Sequence, residues 1–235
     1  STYYYRISAN DNAGNESSKT SDVTSMPHVT DGDYSLSFDG TDDYVQVGNN
    51  SELSGMSTLS VQVWVRKTTN PSSGSIISKW GSGSSNGSNY SYSIYEVDGS
   101  DLISFFIKTT SGTASTSFDS NELTLNLWRH IVGVYDGSDI KIYLNGTLVN
   151  TSASAASGSI LTTSEPVLLG KDYSGNNFNG SVDEVSIWND ALTAAEIAAL
   201  FNSGNPLTAT SNSGNYTSAA NVKGYWRFGE NTGTK

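Results

Sequence analysis

The chain of 235 residues contains no cysteine. That excludes a disulfide framework and any thiolate metal site, while leaving the redox compartment open. Basic residues are scarce, with 12 Lys and Arg against 23 Asp and Glu and a net charge of −11. Nucleic acid is therefore not an expected partner, because phosphate binding rests on basic side chains. Anionic membranes are disfavoured for the same reason. No run approaches the roughly 20 apolar residues of a membrane span, so membrane insertion is not expected, and no leader peptide is recognisable. The first residues already read as a strand, which marks the chain as a piece of a longer protein and leaves its export open. Histidine is limited to His28 and His130.

What fills the chain is Ser, Thr, Asn and Gly around an aromatic-rich minority. The 13 Tyr and 5 Trp argue for a folded domain, since disordered segments are poor in aromatics. "TLSVQVWVR" sets Leu59, Val61, Val63 and Val65 on one face and Gln62, Trp64 and Arg66 on the other, the period of a half-buried strand. "DIKIYLNGTLVN" predicts a hairpin, with Asn145 and Gly146 in a type I′ turn. Further strands are expected near 75–80, 90–97, 102–108, 128–135, 167–170 and 182–188. Many short strands at such spacing predict an antiparallel sandwich or jelly roll. One helix interrupts them at 194–202, with Thr193 and Glu196 spaced as a capping box, Leu192 and Ile197 as a staple, and Gly204 as the stop. It is expected to lid an open end or edge of the sandwich.

Acidic side chains are the first candidates for chemistry. "SFDGTDDYVQV" places Asp39, Asp42 and Asp43 within one turn. The spacing leaves two readings open: carboxylates bonded to their own backbone, or carboxylates around a cation. In "NGSVDEVSIW", alternation puts Asp183 with Val185 and Ile187, and Glu184 on the opposite face. A carboxylate at the core margin needs a cation or several donors. Oxygen ligands without His or Cys suit Ca²⁺.

Catalytic patterns are missing from the chain. No E-x-D-x-x-E run sets paired acids along one strand as glycoside hydrolysis requires. His130 shares a face with Trp128, Val132 and Val134 and reads as a packed strand histidine. There is no P-loop, Rossmann glycine pattern or nucleophile elbow. The protein is expected not to be an enzyme. Two polar, aromatic stretches suit sugar binding instead, through rings for C–H faces and planar polar groups for hydroxyls. "SKWGSGSSNGSNYSYSIYE" offers Trp80, Tyr90 and Tyr92, and "KDYSGNNFNG" offers Lys171, Tyr173, Asn176 and Asn177. Trp64, Trp128, Trp188 and Trp226 lie in strands, where packing is the default.

Two resemblances sharpen these readings. "YYYRISANDNAGNESSKTS" is similar to the last two strands of a fibronectin type III domain, implying a remnant or linker over residues 1–27. "YSLSFDGTDDYVQV", "LSVQVWVR", "LWRHIVGVYDGSDIKIYLNGTLV" and "FNGSVDEVSIWNDALTAAEIAALFNSG" together resemble the laminin G-like, or concanavalin A-like, jelly-roll family. That resemblance implies an all-β antiparallel sandwich over 28–203 with one short C-terminal helix, while 204–235 is an extension or the final strand. It also implies a structural Ca²⁺ held by Asp39, Gly40, Asp42 and Asp183. The module pair implies a secreted or cell-surface multimodular bacterial protein, with a non-catalytic module that binds a polysaccharide or surface glycan beside neighbouring modules. The alternative is a structural or adhesion module without a sugar site.

Overall fold

A computed structural model describes residues 34–69, 74–81, 89–98, 100 and 102–228. The fibronectin-like stretch 1–27 lies outside the described residues. Alternating apolar and polar side chains draw the described backbone into strands β1 (Leu36–Asp39), β2 (Val45–Val47), β3 (Leu59–Lys67), β4 (Ser75–Trp80), β5 (Tyr90–Glu96), β6 (Leu102–Lys108) and β7 (Thr113–Asp119). Then follow β8 (Trp128–Tyr135), β9 (Ile140–Leu144), β10 (Thr147–Ser152), β11 (Val167–Leu169), β12 (Asn179–Trp188), helix α1 (Ala194–Phe201) and β13 (Val222–Trp226). Two antiparallel sheets result. One has seven strands, ordered β1-β12-β3-β8-β9-β10 with β13 also on β12, and the other has six, ordered β2-β11-β4-β5-β6-β7. The fold is the expected jelly-roll sandwich.

Between the sheets, Val61, Val63 and Val65 belong to one core cluster with Ile77, Ile94 and Phe105. Fully burying a side chain of this size contributes roughly 1.5–3 kcal/mol. The ends of β3 and β5 bring a charge pair into the same interior: Lys67 Nζ lies 2.6 Å from Glu96 Oε1, with both side chains almost wholly buried. Burial pushes the Glu96 carboxyl upward against the pull of Lys67.

The sequence predicts β3 as half-buried, yet Gln62 and Trp64 are buried too. The reason is a second apolar cluster on the outer side of the seven-stranded sheet. Val132, Val134, Tyr143 and Trp188 of the strands meet Leu192, Ile197 and Leu200 around the helix and Ala209 and Tyr216 beyond it. Helix α1 thus covers the face of a sheet, where the sequence suggested an end or edge. Its capping box forms, with Thr193 Oγ1 accepting from the Glu196 amide and the Glu196 carboxylate accepting the Thr193 amide at 3.0 Å. The helix stops at Asn202, which takes the left-handed conformation at φ 43° before Gly204 is reached. The β9–β10 hairpin turns through Asn145 and Gly146 at φ 49° and 78°, as the I′ geometry demands.

Strand β12 is shared by two partners on one edge. Leu36 of β1 faces Val182, and Trp226 of β13 faces Val185, both antiparallel. Strand β13 therefore stops where β1 starts, about 10 Å away along β12 at 3.3 Å per residue. Residues 222–226, left open in the sequence, are a strand of this sandwich.

Candidate functional site

The acidic turn leaves β1 at Asp39 and bends at Gly40, whose φ of 80° favours glycine. A Cβ there would also sit 2.9 Å from Asn179 Cβ. The turn brings carboxylate oxygens of Asp39, Asp42 and Asp43 within 4.8 Å of one another. Backbone amides hold two of them: the Thr41 N–H donates to Asp39 Oδ1 at 2.7 Å and the Asp39 N–H to Asp43 Oδ2 at 3.2 Å. Asp43 is pushed upward by burial and by the charges of Asp39 and Asp42, against the amide bond from Asp39. Turn chemistry and carboxylate clustering coexist here.

Asp183 does not join this group. Asn179, the β12 residue opposite Asp39, is four positions from Asp183, or about 13 Å along the strand. The Asp183 carboxylate instead accepts the amides of Glu184 at 2.8 Å and Phe228 at 3.1 Å through Oδ1. Its place in the predicted metal set is taken by Asp43. The expected opposition of Asp183 and Glu184 also fails, because β12 bulges against β3 between Asp183 and Ser186, and Glu184 adopts φ 48°. Both acids line one cleft.

The 171–177 loop packs beside the acidic turn. Asn177 Nδ2 donates to the Thr41 carbonyl and Asn179 Nδ2 to the Asp39 carbonyl at 2.8 Å. Lys171 Nζ lies 3.3 Å from the centre of the Tyr44 ring, and burial lowers its pKa against the pull of Asp172 and Asp42. On its other side the loop leans on β4, where Ser78 Oγ donates to the Lys171 carbonyl and the Ser75 amide to that of Asn176. Asp172 accepts both the backbone and side-chain N–H groups of Asn176, at 3.1 and 2.8 Å. Tyr173 stands exposed at 57 %.

Strand register places Ser78, Ser93, Phe106 and Ser115 in one cross-strand row, and Ile77, Ile94, Phe105 and Thr116 in the next. The second row enters the core, so the first points outward. Trp80 lies on that outer side, 4.1 Å from Tyr90 and 5.2 Å from Phe106 between ring centres. All three rings are part-exposed. A cleft of about 160 Å³ joins Trp80 and Tyr95 to Ser75, Ser93, Asp172 and Asn176. Two sequence candidates, Trp80 and Asn176, therefore meet at one site, with Tyr90 stacked behind the first.

Tyr92 leaves the set of ligand candidates. Its side chain is fully buried in the core, and its hydroxyl donates to the Leu53 carbonyl at 3.0 Å. Phe106 was missed, although alternation in "LISFFIK" sends Ile103, Phe105 and Ile107 inward and leaves Phe106 outward. His130 is fully buried, bonded through Nε2 to Gln62 Oε1 at 2.9 Å, and burial pushes its pKa down to about 3. It is the packed histidine the strand pattern predicts.

A family model described as the concanavalin A-like lectin/glucanases superfamily matches residues 39–198. Pappalysin-1 of Mus musculus is 36% identical over 99 residues, which are 40% of this chain and 6% of that protein. The chain thus spans a small fraction of that relative. Domain 4 of AbnA, an extracellular arabinanase of Geobacillus stearothermophilus solved with arabinotriose, is 17% identical across 83% of this chain and 86% of that one, with TM-score 0.54. The ligand binding domain of botulinum neurotoxin serotype D, solved with N-acetylneuraminic acid, is 15% identical across 84% of this chain and 50% of that one, with TM-score 0.59. At such identities the likeness is one of fold. No helix among the described residues is long and apolar enough to cross a membrane.

Proposed function

The chain belongs to the concanavalin A-like lectin/glucanases superfamily, and from that premise we propose that it is a non-catalytic carbohydrate-binding module of a secreted or cell-surface protein. Its ligand is a polysaccharide or surface glycan. The observation that carries this reading is the ring group Trp80, Tyr90 and Phe106, part-exposed beside a cleft edged by Asp172 and Asn176. Rings offer a surface to the C–H face of a sugar, and the carboxylate and amide offer acceptors and donors to its hydroxyls. The acid pair Asp183 and Glu184 is adjacent in sequence and clasped by backbone and side-chain donors, which suits positioning more than glycosidic cleavage. Binding-domain relatives of the same fold agree with a gripping role.

Within this reading the acidic turn holds a structural Ca²⁺. Three clustered carboxylates with only oxygen donors fit a hard cation. Asp39, Asp42 and Asp43 are the residues that would hold it. Bound there, the ion would neutralise their mutual repulsion and tie the turn that also carries the 171–177 loop.

The deciding experiment is affinity electrophoresis and calorimetry against neutral, sulfated and uronic polysaccharides. At least one polymer should bind, and Trp80→Ala should weaken it by about tenfold or more with an unchanged circular dichroism spectrum. Absence of binding across the panel would replace this reading with that of a structural or adhesion module.

A further inference from the structure

A second cleft, of about 240 Å³, lies on the outer side of the seven-stranded sheet, just beyond the cover of α1. Its walls include Trp64, Trp128, Asp183, Glu184, Asn205 and Arg227. Its volume falls below the several hundred Å³ of a site for a drug-sized ligand, and suits a single small ring. The sequence reading sets Asp183 at a cation and Trp64 and Trp128 in packing, and neither it nor the family match places a ligand in this cleft.

Three features mark the cleft as built for a ligand. The first is the bulge in β12: regular alternation would turn one of the two acids toward the core, but the left-handed Glu184 at φ 48° aims both at the cleft. A non-glycine residue in that region is strained, and bulges commonly re-aim side chains next to functional sites. The second is preorganisation. Glu184 Oε2 accepts the Tyr225 hydroxyl at 2.6 Å and Oε1 lies 3.2 Å from Arg227 Nε, while Phe201 stacks on Trp64 with ring centres 5.8 Å apart. The third is the indole N–H of Trp64, buried and without an acceptor, although the same residue lines the cleft. A buried donor left without a partner is costly, and a hydroxyl in the cleft would supply the missing acceptor.

We propose that this cleft is a second carbohydrate subsite that takes one pyranose ring without acidic substituents. The part-exposed Trp128 indole, with Arg66 5.8 Å over its ring, supplies the apolar surface for a C–H face, and the buried Trp64 supplies its indole N–H. Asp183, Glu184, Asn205 and Arg227 supply the acceptors and donors that a ring of hydroxyls requires. Asp183 and Glu184 line the cleft itself beside Arg227, with Arg66 set back over the Trp128 ring, so the carboxylates that a bound ring meets select against uronate, sulfate and sialate groups. The site lies on the opposite sheet from the Trp80 cleft, so the two engage separate sugars.

The test uses the full chain and methyl pyranosides of glucose, galactose, mannose, N-acetylglucosamine and glucuronic acid, followed by tryptophan fluorescence and saturation-transfer NMR. At least one neutral glycoside should bind at millimolar concentration, with the glucuronide about tenfold weaker or worse. Trp128→Ala and Asn205→Ala should each weaken binding about tenfold, and Trp80→Ala should leave it unchanged. Asn205 is an exposed loop residue, so that variant tests the site even if Trp128→Ala is unstable. No neutral glycoside binding, or binding abolished by Trp80→Ala and untouched by Asn205→Ala, overturns the proposal. Loss of polysaccharide binding with Trp80→Ala alone would still support the first site, so the two failures are distinguishable.

Discussion

The outer sides of the two sheets differ in what their strands point outward. On the seven-stranded sheet, Val132, Val134, Tyr143 and Trp188 project large apolar groups, and α1 with the segment beyond it covers them in a second core. On the six-stranded sheet the outward row is Ser78, Ser93, Phe106 and Ser115, and among the described residues no apolar cluster lies there. Burial of apolar area drives covering; the serine row carries only a polar cover, with Ser78 and Ser93 buried and Ser78 bonded to the Lys171 carbonyl of the 171–177 loop. The few rings on that side therefore remain part-exposed. One outer side is a second core, while the other keeps its rings part-exposed.

That contrast is broken most severely by removing the covered face. Trp188→Ala deletes a fully buried ring and the 2.8 Å bond from its indole N–H to the Tyr216 hydroxyl, and should lower stability by about 3–5 kcal/mol in urea unfolding. Phe106→Ala on the other face should cost about 1 kcal/mol or less. If the two losses were equal, the distinction would be wrong.

Acid sharpens the comparison next. His130 beneath Phe201 is held at about 3 by burial, whereas the unfolded chain takes up its proton below about 6.5. The folded form is therefore favoured above that value and loses this advantage as pH falls from about 6.5 toward 3. Between pH 7 and pH 5 the loss should be about 2 kcal/mol, read as a falling melting temperature. His130→Leu should flatten that part of the slope.

At the acidic turn, Ca²⁺ at a hundredfold excess over its dissociation constant should add about 2.7 kcal/mol to the chain with all its carboxylates. Chelator should remove the gain. Asp43→Asn should show no response to either. A melting temperature indifferent to Ca²⁺ would return the turn to backbone bonding alone. The smallest expected change in stability is that of Trp80→Ala, under about 1 kcal/mol, despite its effect on polysaccharide binding.

Much of this architecture was readable from periodicity. The alternation in β3, the Asn-Gly turn and the Thr193 to Glu196 spacing rest on local physics and appear where expected. Strand β7, "TASTSFD", was not anticipated, because Thr, Ala and Ser give almost no apolar contrast for alternation to reveal. The site was legible only in part. Trp80 and Asn176 meet because Lys171 and Asn176 bond to β4, a contact between segments nearly a hundred residues apart. Asp183 was misplaced because strict alternation was assumed across a bulge, whose single left-handed residue no pattern of two announces. Tyr92 alternates with Ile94 into the core, and its polar surroundings along the chain lent its ligand role a weight that the strand pattern did not support.

The arrangement of β1 and β13 along β12 has a mechanical consequence. The last pair of β13 lies at Val185 and the first pair of β1 at Val182, so a force drawing Tyr34 off the sheet would load the Leu36 to Val182 pair first and the Asp39 to Asn179 pair last. Strands pulled this way open like a zipper, bond by bond, instead of resisting in parallel. A pull on that end would peel β1 away while the covered face stayed intact.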